Sequence, residues 1–256
     1  MKTLPFFKRP YLAKRILDIG SGHDPFKGVT HLMDIDLHQG HERGGNEICA
    51  PGGTNLIAGD VQAIPFKSKC FDFVYASHIL EHVSLPETAC QEIMRVGVAG
   101  YIETPSPFLE QGLALASEGT NEQWFHKWFV FLNPDGMLVF EPKTMETVQE
   151  FCSCSDGQFM KDLFEILNFN EAQHFFKRKA KTTFLYWNSL FRYEVRNRTV
   201  DCKREEKTCR FRGMKEAVLA SCNDFFRAGR IFRLRRKFPD CKTVFRKHGH
   251  RTAFIY

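Results

Sequence analysis

Through the first part of the chain, short apolar runs end repeatedly in glycine or an acid. Ile16 to Ile19 opens onto Gly20-Ser21-Gly22, Val29 to Asp34 ends on Asp34, and Asn55 to Val61 closes on Gly59-Asp60. Phe71 to Ala76 is dense in β-prone residues, and Tyr101 to Thr104 is stopped by Pro105 and Pro107. Runs this short, rich in aromatic and branched residues, predict strands. A helix is predicted from Ser77 to Val96, and the other gaps hold loops or weaker helical patterns. Strands alternating with such crossovers predict an α/β chain with a doubly wound, mostly parallel sheet, a Rossmann-like arrangement.

The pattern then changes. Phe108 to Gly119 reads as helical, and Trp124 to Leu132 with Met137 to Glu141 reads as a hairpin around Asn133-Pro134-Asp135-Gly136. That hairpin either completes the sheet or lies over the pocket. Thr144 to Phe169 carries Met145, Val148, Phe151 and Cys152 at helical spacing, and Thr183 to Trp187 with Arg192 to Arg196 predicts a second hairpin. The expected division is a core over 1–142, a helix-and-hairpin extension over 143–200 covering the acceptor site, and a basic segment over 201–256.

Composition narrows the class. With 256 residues and 43% hydrophobic content the chain can build a substantial core. No apolar run approaches the ~20 residues needed to cross a bilayer. Pro5, Lys8, Arg9 and Pro10 interrupt any signal-peptide core, so a soluble cytoplasmic protein is expected. Nine cysteines without a CxxC pair fit reduced thiols better than a disulfide framework, although Cys152, Cys154, Cys202 and Cys209 could be drawn as a metal set.

The net charge of +6 is uneven, because residues 201–256 hold sixteen Lys or Arg against six Asp or Glu. Within them Met214, Val218, Cys222, Phe225, Gly229 and Phe232 form an apolar stripe flanked by Arg227, Arg230, Arg233 and Arg235. Such a segment docks on its own domain or makes peripheral contact with an anionic membrane. No RNA-binding motif accompanies it, so nucleic acid ranks last.

Chemistry begins at the glycine turn. A strand ending in glycines lets a ligand approach the backbone closely and meet its N–H groups. Asp34, at the end of the second strand, stands where a carboxylate can accept both hydroxyls of a ribose. A nicotinamide dehydrogenase would want a third glycine at position 25, where this chain has Pro25. His78-Ile79-Leu80-Glu81-His82 fits the HxxEH pattern of zinc peptidases, which requires both histidines on one face of a helix. His38, His41 and Glu42 sit in a polar loop and are taken as surface.

Five stretches in order, LDIGSG at 17–22, MDID at 33–36, GDVQAIPF at 59–66, FDFVYASHILEHV at 71–83 and YIETP at 101–105, resemble class I S-adenosylmethionine-dependent methyltransferases of the type 11 group. The resemblance covers residues 13–108. It implies S-adenosylmethionine as cofactor, with Gly20, Ser21 and Gly22 against its methionine part, Asp34 on the ribose, and Asp60 with Val61 at the adenine. Asp18 would orient the turn or meet the cofactor's amino group, and Ser77 would line the cradle. His78 and His82, with Glu81 as orienting partner, become contacts to the cofactor or a general base, or simply pack beneath it. His126, among Trp124, Phe125 and Trp128, is either a second acceptor-site histidine or a core residue.

The implied reaction moves a methyl group to an oxygen or nitrogen of a small-molecule acceptor, including a lipid- or sugar-linked metabolite. The alternative is a relative that kept the cradle and lost the chemistry. Metal ions have no place in the preferred reading, and the oligomeric state is open. Arg95 to Gly100 departs from the family pattern in lacking paired glycines before the fifth strand.

Overall fold

The computed structural model describes residues 12–38, 46–107, 109–110, 126–144, 147 and 182–196. The chain divides into two compact units: one comprises residues 1–104, 136–140 and 184–195, and the other 105–135, 141–183 and 196–256. Most of the helices expected over 108–119 and 144–169, the Cys152 to Cys209 set and the basic stripe lie outside the described residues. Among those described, no helix is long and apolar enough to cross a membrane.

The first unit is built on strands β1 (Ile16–Ile19), β2 (His31–Asp34), β3 (Asn55–Ala58), β4 (Phe71–Ser77) and β5 (Gly97–Pro105), with helix α1 (Pro86–Val96) between β4 and β5. Strand β8 (Thr182–Asn188) supplies the last position in a sheet ordered β3-β2-β1-β4-β5-β8. The pairs β1–β2, β1–β4, β2–β3 and β4–β5 are all parallel. This is the mostly parallel, Rossmann-like sheet expected. Strands β1 and β4 are buried almost throughout, as strands covered on both faces must be.

The link from β1 to β2 holds turns and no helix. Phe26 does the covering instead: its ring stacks on Tyr75 at 4.8 Å and lies 6.3 Å from Phe73, within a buried cluster that includes Ile16 and Tyr101. One stacked aromatic pair adds about 0.5–1.5 kcal/mol beyond the area it buries.

Two sequence expectations need correction. Residues 78–85 are turn and bend, and the helix begins only at Pro86, whose ring suits a first helical position. The stretch from Thr183 to Arg196 is not a hairpin. β8 joins the six-stranded sheet, whereas β9 (Tyr193–Val195) pairs in parallel with β7 (Leu138–Pro142).

β5 also starts earlier than expected, directly where α1 stops. Lys69 makes that possible, its ammonium donating to the carbonyls of Met94 at 2.7 Å and Gly97 at 2.8 Å. Arg95 grips the loop after β3, donating to the carbonyls of Ile64 at 2.8 Å and Phe66 at 2.6 Å, while Glu92 accepts the Ile64 N–H at 2.7 Å. The RVGVAG stretch thus trades paired glycines for a guanidinium clamp and a bare strand start.

The second unit contains β6 (Trp128–Leu132), whose Phe129, Val130 and Phe131 are fully buried. Arg196 lies over the Phe131 ring and reaches Glu141 at 3.3 Å.

Candidate active site

Parallel pairing brings the carboxyl ends of β1, β2 and β4 side by side, since Ile19 faces Met33 on one flank and Ala76 on the other. Gly20, Ser21, Gly22, Asp34 and Ser77 therefore meet in one crevice, the place where open α/β sheets bind ligands. Gly20 and Gly22 have φ of 64° and 54°, left-handed values that favour glycine. The Gly20 N–H donates to the Met33 carbonyl at 2.7 Å, and the Gly22 N–H points to Asp34 Oδ2 at 3.4 Å. Asp34 Oδ1 also accepts the Asp36 N–H at 3.2 Å. Asp18 Oδ2 accepts the Phe26 N–H at 2.7 Å, so this buried acid braces the turn.

Asp60 and Val61 follow β3, one strand further out, where the Gly59 N–H donates to the Asp34 carbonyl at 3.0 Å. The Asp60 carboxylate is held by its own loop: Oδ1 accepts the Gln62 backbone N–H at 2.8 Å, and the Gln62 amide donates to Oδ2 at 3.0 Å. Reading an adenine amino group would require that side-chain amide to move aside. Val61 is buried.

An adenosyl-methionine group suits these residues on two counts. The hydroxyls of Ser21 and Ser77 are buried with no hydrogen-bond partner among the described residues. An unsatisfied buried hydroxyl costs about 1–3 kcal/mol, which a polar ligand would recover. Second, the turn carries no Cβ on its inner face. In this structure the end of the Ile79 side chain uses that space, with Cδ1 only 1.8 Å from where a Cβ on Gly20 would be. It is a flexible end, able to swing away.

His78 sits just past β4 with φ of 60°, a left-handed conformation that is sparsely populated for a residue with a Cβ. Its N–H donates to the Glu103 carbonyl at 2.8 Å, continuing the β4–β5 ladder by one residue. Its ring lies between two acids, Nδ1 at 3.4 Å from Glu81 and Nε2 at 3.6 Å from Glu103. The Tyr101 hydroxyl in turn donates to Glu103. Burial opposes the charge on His78, but bonding to Glu103 and Glu81 outweighs it and raises the pKa to about 9.

His78 is therefore a cation at neutral pH and has no lone pair to act as a base there. His82 Nε2 lies 3.9 Å from the same Glu81 oxygen. The zinc-peptidase reading fails on geometry. These histidines are on a turn rather than one helical face, and both ring nitrogens of His78 face carboxylates.

A pH dependence of stability follows. An imidazole held above its unfolded value of 6.5 contributes stability that is complete below about pH 6.5 and vanishes as pH climbs through about 9. The side chain is 42% exposed, so solvent screening limits the contribution to about 1 kcal/mol. Urea denaturation at pH 6 and pH 9.5 should show that loss in the wild type and not in His78→Gln. An equal loss in both would place the titrating group elsewhere.

The second unit holds a separate charged group. Glu110 accepts from His126 Nδ1 at 2.6 Å and from the Lys143 ammonium, and all but the His126 ring are deeply buried. Burial pushes the Glu110 carboxyl up, but the His126 hydrogen bond and the charges of His126 and Lys143 outweigh it and hold the group below the usual range. His126 is thus a partly buried ring paired with a buried acid.

Sequence reasoning did not single out Ile79, Glu103, Glu110 or Lys143. Glu103 had a signal, being an acid inside an apolar strand. Glu110 and Lys143 had none, because only folding brings them together.

Comparisons with known proteins find similarity to methyltransferases over part of the chain. The model of the Methyltransf_11 family, a methyltransferase domain, matches residues 17–100. A protein of Encephalitozoon cuniculi (strain GB-M1), provisionally named a methyltransferase, is 27% identical over 148 residues, covering 55% of this chain and 68% of that protein. Among solved structures, a SAM-dependent methyltransferase of Thermotoga maritima is 18% identical with a TM-score of 0.33, over 59% of this chain and 62% of that one. A Bacillus halodurans protein is 17% identical with a TM-score of 0.27, over 36% of this chain. The chain spans 45% of the length of the Bacillus protein and 38% of that of the cyclase SpnF, another structural match. The part of the chain that matches the Methyltransf_11 model, residues 17–100, is the part that carries β1 to β4, the start of β5, the glycine turn and the strand-end acids, and there it is similar to methyltransferase domains.

Proposed function

We propose that this chain is an S-adenosylmethionine-dependent methyltransferase acting on an oxygen or nitrogen of a small molecule or a lipid- or sugar-linked metabolite. The observation that carries the reading is the meeting of the Gly20 to Gly22 turn, Asp34 and two buried hydroxyls, Ser21 and Ser77, that have no partner among the described residues, at adjacent strand ends. Asp34 would hold the ribose, Asp60 and Val61 the adenine, and Asp18, Ser21 and Ser77 the methionine end. The bound cofactor supplies a methyl group already activated by its positive sulfur. The protein's part is then to align the acceptor, exclude water and receive the acceptor's proton. His78, being charged, is suited to holding Glu81 and Glu103 in place and not to receiving that proton.

Titration calorimetry with S-adenosylmethionine and its demethylated product tests the cradle. Both should bind, and Asp34→Ala should weaken both at least tenfold, about 1.4 kcal/mol. Unchanged affinity in Asp34→Ala would remove the ribose assignment. Transfer of labelled methyl to a cell extract separates an enzyme from a relative that binds without reacting.

A further inference from the structure

The six-stranded sheet of the first unit begins at β3, so one side of that strand has no neighbouring strand among the described residues. Its pairing with β2 fixes which groups face that side. The Asn55 N–H donates to the Thr30 carbonyl and the Gly59 N–H to the Asp34 carbonyl, both at 3.0 Å. Backbone groups alternate along a strand, so Asn55, Ile57 and Gly59 address β2 while Leu56 and Ala58 turn their N–H and C=O outward. Both residues are exposed, and their outward groups have no hydrogen-bond partner among the described residues.

Such an edge is a template for a further strand, and proteins commonly guard it with lysine or proline. Asn55-Leu56-Ile57-Ala58 carries neither, and its one guard is its length of 4 residues. Apolar side chains lie beside it, Leu56 being 36% and Ile35 71% exposed.

The edge is complementary to itself, which points to a second copy. About a two-fold axis, antiparallel pairing must set outward residues against outward residues. Leu56 against Leu56 would bring Ala58 against Thr54, whose N–H already donates to the Pro51 carbonyl at 3.1 Å. Ala58 against Ala58 would bring Leu56 against Asp60, whose backbone is already bridged to Ala63. Leu56 against Ala58 meets neither obstacle and pairs every outward N–H with an outward carbonyl. In that register Ile57 faces Ile57 across the axis. On the other face the large Leu56 side chain lies opposite the small Ala58, and Asp60 falls opposite Thr54 rather than a like charge.

We propose that two copies of this chain pair edge to edge through β3, antiparallel, with Leu56 of each against Ala58 of the other, making one continuous sheet. This surface belongs to the first unit alone and does not rest on the methyltransferase reading. Pairing also holds the strand that leads into Asp60 and Val61.

Sedimentation velocity on the full chain from about 2 to about 200 µM should show monomer giving way to dimer, the behaviour of a contact smaller than the standard interface. Ala58→Pro removes an outward N–H and leaves the ladder to β2 intact, so it should weaken dimerisation more than about tenfold in a protein still folded by circular dichroism. A charge swap reads the register. Ala58→Lys and Leu56→Glu should each be monomeric alone, because each would set a charge against an apolar side chain. Mixed in equal amounts they should dimerise, because the introduced charges then meet across the axis while the remaining Leu56 and Ala58 pair as in wild type. Both positions are exposed, so neither variant should impair folding.

A wild type still monomeric at about 200 µM overturns the proposal, as do open-ended polymers, which a two-fold contact cannot make. An Ala58→Pro variant that dimerises like wild type overturns it too, since the contact would then lie on another surface. So does a charge-swapped mixture no more associated than its two parts.

Discussion

Gly100→Ala should destabilise this protein by about 3 kcal/mol, lowering Tm by about 6–12 °C. A Cβ at Gly100 would lie 2.3 Å from the carbonyl oxygen of Val74 and 2.8 Å from the Trp187 ring. The oxygen belongs to β4, the strand paired with β5, and cannot turn aside without breaking the ladder. Trp187, 6% exposed, cannot retreat either, because it closes the β5 edge.

Gly97 is a useful control. A Cβ there would meet Val74 Cγ2 at 2.6 Å, a side-chain end that can yield, while Trp187 at 3.0 Å and the Ile93 carbonyl oxygen at 3.3 Å are further off than the contacts at Gly100, so Gly97→Ala should lose about 1 kcal/mol. Calorimetric melting of the three proteins decides the matter. Equal melting temperatures for Gly100→Ala and wild type would mean that Trp187 is not seated against β5. Cofactor affinity measured well below the transition should be within threefold of wild type, because the defect lies away from the crevice.

The same glycines show what could be read in the sequence. β1 and β4 were legible because burial on both faces demands mostly apolar or aromatic runs, and Ile16 to Ile19 and Phe71 to Ala76 are such runs, each interrupted by a single acid, Asp18 and Asp72. The start of β5 was not legible, because Gly97 and Gly100 lower strand propensity. They are present for Trp187, which lies far along the chain. For the same reason Thr183 to Arg196 looked like a hairpin: Asn188-Ser189-Leu190 is good turn chemistry, but the partners of β8 and β9 are chosen by distant surfaces.

The helix onset misleads because His78 and His82 fall at helical spacing. Glu81 and Glu103 instead hold His78 in a left-handed turn, and Pro86 is the truer start signal. The crevice at the strand ends could be read because its residues follow local rules: a strand, a glycine turn, an acid at a strand end. The Glu110, His126 and Lys143 group follows no local rule, and only its histidine stood out.

Gly20→Ala should differ from Gly100→Ala in its effect on the ligand, leaving a folded protein that no longer binds it well. The residue holds φ of 64°, which costs an L-residue about 1–2 kcal/mol, and its new methyl would meet the end of Ile79 at 1.8 Å. That end can rotate away for about 1 kcal/mol more, so a folded protein some 2–3 kcal/mol weaker is expected. Binding of S-adenosylmethionine should fall by more than 100-fold, about 2.7 kcal/mol, because the methyl occupies the face a ligand must approach. Ile79→Ala in the same chain separates the two effects. It should restore about 1 kcal/mol of stability by removing the clash and restore none of the affinity, since the obstructing methyl on Gly20 is still there. If the double variant binds as well as wild type, Ile79 alone guards the crevice. If Gly20→Ala by itself binds normally, the turn at the end of β1 is not where the methionine part rests.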